Sequence, residues 1–263
     1  MENILKALEL AEVKKQQTEQ EIPAKIEPAT EPASGNEQII YSSTRVISTD
    51  PEALRQHRVI AGMERGPVTN AYRLLRTQVL QRMRENNWNT LAIISPSSHA
   101  GKTLTAVNLA ISMAMEVNQT VLLVDLDLRT PHLHNYFDYQ PEKGLSDYLL
   151  HGTPLSQIMF NPSIERLVVL PGRETVRNSS ELLSAPKMVK LVEELRTRYP
   201  SRLVLFDLPS FLNSDDVLAF SPYVDAVLLV VEEGKTTTEE LHTAMTMLQT
   251  VNIIGTVLNK SRA

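Results

Sequence analysis

The feature that most constrains this chain is a series of short β-branched runs, most of them continuously apolar, alternating with helical stretches. Candidate strands fall at 90–94, 120–124, 167–170, 203–206, 226–231 and 253–258. Helical patterns lie before or between most of them, at 70–85, 102–117, 180–198 and 236–250. In the first of these helices Ala71, Leu74, Leu75, Val79 and Met83 share one side. A strand with one wet face alternates apolar and polar residues, whereas a run apolar throughout is covered on both faces. Strand–helix–strand repetition of this kind predicts an α/β fold, a doubly wound and mostly parallel sheet with helices on both sides.

Composition agrees with a packed core. Apolar residues make up 42% of the 263 and charged residues 22%, too apolar for a chain disordered throughout. The absence of cysteine removes disulfides, thiolate metal sites and cysteine nucleophiles. A net charge of −5 argues against a nucleic-acid scaffold. No apolar run reaches the ~20 residues of a bilayer span, and the acidic start at Met1-Glu2-Asn3 does not read as a signal peptide, so the expected compartment is the cytoplasm. Residues 1–15 carry Ile4, Leu5, Leu8 and Ala11 at helical spacing, and 16–38 read as a flexible acidic linker containing Pro23, Pro28 and Pro32. The expected division is therefore 1–45, helix and linker, and 46–263, the folded domain.

In parallel α/β sheets ligands lie beyond the carboxyl ends of the strands, so chemistry is sought there. The first strand runs into Ser95-Pro96-Ser97-Ser98-His99-Ala100-Gly101-Lys102-Thr103 and then an uninterrupted helix. Strand, loop, Gly-Lys-Thr and helix make a phosphate-binding loop. Backbone N–H groups from Ser98, His99, Ala100 and Gly101 to Lys102, Thr103 and Leu104 would surround phosphates, Lys102 would reach the β/γ-phosphates, and the Thr103 hydroxyl would bind Mg²⁺. The usual first glycine is replaced by Pro96. The second strand ends in Asp125-Leu126-Asp127-Leu128-Arg129, two carboxylates whose repulsion calls for a nearby cation. Asp207 closes the fourth strand, where such folds place a metal-holding carboxylate. The last strand ends Asn259-Lys260-Ser261-Arg262; Arg262 stands where a guanine reader needs a carboxylate, so adenine is the expected base and Asn259 its candidate contact.

Three strings carry a family likeness: Asp125-Leu-Asp-Leu-Arg-Thr-Pro131, Gly144-Leu-Ser-Asp-Tyr-Leu149, and Asn178-Ser-Ser-Glu-Leu-Leu-Ser-Ala-Pro-Lys-Met188. With the Gly-Lys-Thr loop they resemble the bacterial tyrosine kinases of exopolysaccharide and capsule export. These belong to the wider group of partition and division-site P-loop ATPases with a second, Asp-containing motif. The likeness covers about residues 69–260. It implies ATP and Mg²⁺ as ligands, with phosphate and metal at Lys102 and Thr103. Asp125 would then orient or activate the attacking group, Asp127 assist at the metal, and Asp207 complete its coordination. Arg73 and Arg76 match two positions of a Glu-x-x-Arg-x-x-Arg helix that packs subunits into a ring, with Asn70 standing in for the glutamate. The resemblance also implies an integral-membrane chain-length regulator or activator as partner, reached at the inner face of the membrane. Family members that autophosphorylate carry a C-terminal tyrosine cluster, whereas the seven tyrosines here end at Tyr223 and only Tyr41 adjoins the linker. Two activities stay open: phosphoryl transfer to protein tyrosine, and a nucleotide-dependent switch acting on the membrane partner. A positioning ATPase acting on DNA is a more distant third.

Overall fold

The computed structural model describes residues 44–63, 66–199 and 201–261. The expected helix over 1–15, the linker over 16–38, Tyr41 and Arg262 lie outside the described residues.

Eight strands form one sheet: β1 (Arg45–Val46), β2 (Thr90–Ile94), β3 (Thr120–Asp125), β4 (Phe160–Asn161), β5 (Leu167–Leu170), β6 (Arg202–Asp207), β7 (Ala226–Glu232) and β8 (Ile253–Asn259). Their order is β1-β4-β5-β3-β6-β2-β7-β8, and every pair is parallel except β4–β5. The six longer strands match the expected ones to within a residue at either end. Strands β2, β5 and β7 are buried along their whole length because helices cover both faces. Edge strand β8 exposes alternate residues. The two-residue strands β1 and β4 were not expected, since so short a stretch carries no periodicity.

The helices are α1 (Pro51–Gln56), α2 (Pro67–Glu85), α3 (Lys102–Ala114), α4 (Leu145–His151), α5 (Ser179–Ser184), α6 (Pro186–Thr197), α7 (Asp216–Phe220) and α8 (Thr238–Met247). Two expectations need correction. The single helix expected over 180–198 is broken at Ala185, which is extended (ψ 148°) because the ring of Pro186 excludes the helical conformation before it. In α2 the inward stripe runs through Val79, Leu80 and Met83, while Leu74, one residue off that stripe, is 61% exposed. No helix among the described residues is long and apolar enough to cross a membrane.

Helix α2 is tied to α3 by Arg76. One nitrogen of its guanidinium donates to the Ser112 carbonyl at 3.0 Å, and another meets Glu116 at 3.0 Å. Ser112 lies in the last turn of α3, where carbonyls lack helical partners and a cation is favoured. Arg76→Ala is expected to lower the melting temperature by several degrees, the effect of losing about 1–3 kcal/mol from a partly buried charge-assisted tie. Arg73→Ala, which removes no such bond, should melt with the wild type. Scanning calorimetry checks this, and identical melting of all three proteins would show that the tie contributes nothing.

Candidate functional site

The strand ends converge as parallel α/β geometry requires. The register of β3 on β6 sets Asp125 directly beside Asp207, and the register of β2 on β6 sets Ile93 beside Asp207. Two carboxylates on adjacent strands repel, and both are fully buried. Lys102, the first residue of α3, supplies the counter-charge: its Nζ lies 3.3 Å from Asp127 Oδ2, 3.4 Å from Asp207 Oδ1 and 3.2 Å from Thr103 Oγ1. Burial works against the charge on Lys102, but Asp207, Asp127 and Asp125 outweigh it and raise its pKa.

The three carboxylates differ in how they are satisfied. Asp125 accepts hydrogen bonds from the Asp127 N–H (3.2 Å) and the Leu133 N–H (3.1 Å). Burial first, and then Asp207, push its pKa from 3.8 up to about 8. Asp127 accepts from the N–H and hydroxyl of Thr130, at 3.1 and 3.0 Å. Asp207 accepts no hydrogen bond at either oxygen, although both are buried. Burial raises its pKa, and the Lys102 ammonium, followed by the Thr103 hydroxyl, opposes that. Buried carboxylate oxygens are nearly always hydrogen-bonded, so a carboxylate held by the Lys102 charge at 3.4 Å and by no hydrogen bond has acceptor capacity left for a ligand.

Lys102, Thr103, Asp127 and His99 line a cavity of about 1020 Å³. A smaller cavity of about 350 Å³ lies at the opposite end of the strands, beside Arg196 and Asp225. There Asp225 is already engaged by Arg196 at 2.8 Å and by the backbone at the start of β2.

The phosphate loop takes its shape from left-handed residues and from struts on β8. His99 (φ 65°) and Gly101 (φ 90°) are both left-handed. A Cβ on Gly101 would come within 2.1 Å of Asn259 Nδ2, so only glycine fits that position. Asn259 Nδ2 donates to the Ala100 carbonyl at 2.8 Å, and Lys260 Nζ bridges the His99 carbonyl (2.7 Å) and Glu232 (3.0 Å). Asn259, expected beside a base, is thus also a support of the loop. Ser98 Oγ sits 3.1 Å from Ser210 Oγ, linking the loops after β2 and β6.

The structure brings Ser98, His99, Gly101, Lys102, Thr103, Leu104 and Asp127 to one cavity wall, with Asp125, Asp207, Ala100 and Asn259 directly behind it. Arg73 and Arg76 are apart from it on α2. Among the described residues Arg76 is engaged within its own chain, and the Arg73 side chain has no partner. Several groups escaped the sequence reading. Gly172 approaches so closely that a Cβ there would meet Pro131 at 2.7 Å and Asp125 at 3.4 Å. Arg129 is held by Asp216 and Asp215, each at 3.1 Å, and Ser179 supports Asp216 at 2.8 Å. The run around Asp216 offers no local signal; only folding brings it to Arg129.

Among the described residues no group of three or more His, Asp or Glu side chains forms a self-sufficient metal cage. Mg²⁺ does not require one, since it commonly takes one or two protein oxygens plus phosphate and water. The Asp207 oxygens, free of hydrogen bonds, and the nearby Thr103 hydroxyl suit that mode.

Comparison with known proteins agrees with this geometry. The CobQ/CobB/MinD/ParA nucleotide-binding domain matches residues 91–263. The tyrosine-protein kinase YwqD of Bacillus subtilis is 31% identical over 78% of this chain and 86% of its own length. The putative tyrosine-protein kinase CapB of Staphylococcus aureus is 28% identical, and 84% of it is covered. The chain spans only 26% of the tyrosine-protein kinase Etk of Escherichia coli and 26% of EpsB of Ralstonia solanacearum, at 34% and 31% identity. Among solved structures, the chimerical protein CapA2B2 superposes with a TM-score of 0.72 at 25% identity, over 82% of this chain and 93% of that one. The kinase domain of Escherichia coli Etk gives 0.67 at 33% identity, over 73% and 76%. The Mg-ADP complex of MinD from Pyrococcus horikoshii shares the fold, with a TM-score of 0.54 at 21% identity over 66% of this chain and 72% of that one. With its phosphate loop, its paired strand-end carboxylates and these matches, the chain belongs to the CobQ/CobB/MinD/ParA nucleotide-binding family, in the branch of the bacterial tyrosine-protein kinases.

Proposed function

We propose that the chain binds ATP with Mg²⁺ in the strand-end cavity and transfers the γ-phosphoryl group to a protein tyrosine, serving exopolysaccharide or capsule assembly. The observation that carries this reading is the buried Lys102 ammonium among three carboxylates, one of which, Asp207, is ion-paired to Lys102 but accepts no hydrogen bond at either oxygen. Loop N–H groups from Ser98 to Leu104 bind the phosphates, and Lys102 turns from the carboxylates to the β/γ-phosphates. Thr103, Asp207 and Asp127 would hold Mg²⁺, which when bound offsets charge on the phosphate oxygens. Asp125 orients the attacking hydroxyl and, in its ionised form, takes its proton. Asn259 keeps its Oδ1 for the amino group of adenine. Supporting the substrate class are the tyrosine-kinase relatives; supporting a protein partner is the CapA2B2 chimera, whose name joins two components. The partner in this reading is a membrane chain-length regulator or activator, and the chain works at the inner face of the membrane. Arg73, partly exposed and unpaired, and Arg76 beside it are the residues of α2 that this reading assigns to self-association.

Lys102→Met is expected to lower phosphate release and tyrosine phosphorylation about a hundredfold or more, the range for losing a preorganised charge at the reacting group. Incubation with Mg·ATP followed by phosphate assay and mass spectrometry of the protein and co-purified partners reads both. Wild-type turnover in the variant would refute the site. Nucleotide turnover in the wild type without any modified tyrosine would replace the kinase with a nucleotide-driven switch.

A second expectation concerns pH. The folded-state pKa of Asp125 stands at about 8 against 3.8, so between these values the folded chain holds a proton that the unfolded chain releases. The stabilisation is complete below the unfolded pKa and is lost as pH rises through the folded one. The nucleotide-free protein should lose stability from about pH 5 to 8, and Asp125→Asn should flatten that slope. Denaturant titrations at several pH values measure it, and an unchanged slope in the variant would assign the effect elsewhere.

A further inference from the structure

Five cationic side chains line the cavity: Arg58, Lys102, Arg129, Arg173 and Lys260. Four have anionic partners on the protein. Lys102 meets Asp127 and Asp207, Arg129 meets Asp215 and Asp216, Arg173 meets Asp147 at 3.0 Å, and Lys260 meets Glu232. Among the described residues the Arg58 guanidinium has neither an ion pair nor a hydrogen bond. It is the cation of this wall left for a ligand.

Its backbone is held deliberately. Arg58 follows the last turn of α1 at φ 59°, a left-handed conformation that costs a non-glycine residue about 1 kcal/mol. Such strain persists only where surrounding structure imposes it. Here the imposing group is Asn108, fully buried on α3. Its Oδ1 accepts from the N–H groups of Ile60 (2.8 Å) and Ala61 (2.9 Å), and its Nδ2 donates to the carbonyls of Arg58 (3.1 Å) and Leu104 (3.1 Å). All four bonds an amide can make are used. The helix whose first residues are Lys102 and Thr103 therefore also carries the clamp on Arg58. Arg58 itself precedes the matched family domain, which starts at residue 91.

We propose that Arg58 is a catalytic arginine supplied in cis to the terminal phosphate of the bound nucleoside triphosphate, with Asn108 as the residue that positions it. This rests on the reading that the cavity binds Mg·ATP. A planar guanidinium pairs with two phosphate oxygens at once, and its charge is permanent. In the transfer, the bond from the γ-phosphorus to the β,γ-bridging oxygen breaks and leaves ADP. A new bond joins that phosphorus to the acceptor oxygen, whose proton passes to Asp125 in its carboxylate form. Arg58 stays protonated throughout and holds the non-bridging oxygens as charge redistributes over them.

The test is calorimetric titration of the full chain with Mg²⁺ and either ADP or a non-hydrolysable ATP analogue. Arg58→Ala should bind the analogue about tenfold or more weakly while its ADP affinity stays within about twofold, because only the triphosphate offers the γ-oxygens. Arg58→Lys should recover part of the loss. Asn108→Ala should show the same selectivity, whereas an equal fall for both nucleotides would mark Asn108 as a packing residue and overturn its role. Arg58→Ala binding both nucleotides like the wild type, or losing both in step, would overturn the proposal. Failure of the wild type to bind either nucleotide would instead remove the nucleotide reading, and Arg58 with it.

Discussion

Everything at the site depends on one ammonium group among three carboxylates. Strand register alone places Asp125 next to Asp207 at the end of a fully buried sheet. Two adjacent buried negative charges would drive protons onto themselves or force the strands apart, and the high pKa of Asp125 shows part of that pressure. Lys102 relieves the rest while itself only 8% exposed. An apolar trio of similar volume would be an easier core to fold, so the charges are retained for what they do with a ligand.

Supports radiate from this centre, and each ties a distant piece of chain to a strand end. Asn259 and Lys260 prop the phosphate loop from β8, Arg129 joins the end of β3 to α5 and α7, and Asn108 anchors the segment before α2. Each support is a polar side chain bonded to a backbone carbonyl, a carboxylate or a hydroxyl. Interactions of that kind set geometry to within tenths of an ångström in a way that apolar packing does not. The rigid sheet places the chemical groups, and these ties fix the loops between them.

Much of this was legible before folding was considered. Five of the six long strands are runs with no polar residue in their interior, and Gly101, Lys102 and Thr103 announce themselves because strand, loop and helix follow one another within a few residues. Asp125 and Asp207 each sit immediately after a buried run, a local signal. The break at Ala185 was written in Pro186 and follows from sterics at a single bond. Strands β1 and β4 could not be read this way, because a two-residue strand exists only through its neighbour.

Local chemistry along the chain thus determined the sheet strands, the phosphate loop and the identity of the charged groups, since apolar runs, glycine and strand-end carboxylates act over a few residues. Tertiary structure decided which of them meet. That Asp125 lies beside Asp207, that Arg76 ties α2 to the end of α3, and that a buried asparagine on α3 holds the backbone of Arg58 at the cavity rim are consequences of register and packing between residues far apart in sequence. No periodicity encodes these contacts, because each is satisfied only when the whole sheet has closed around it.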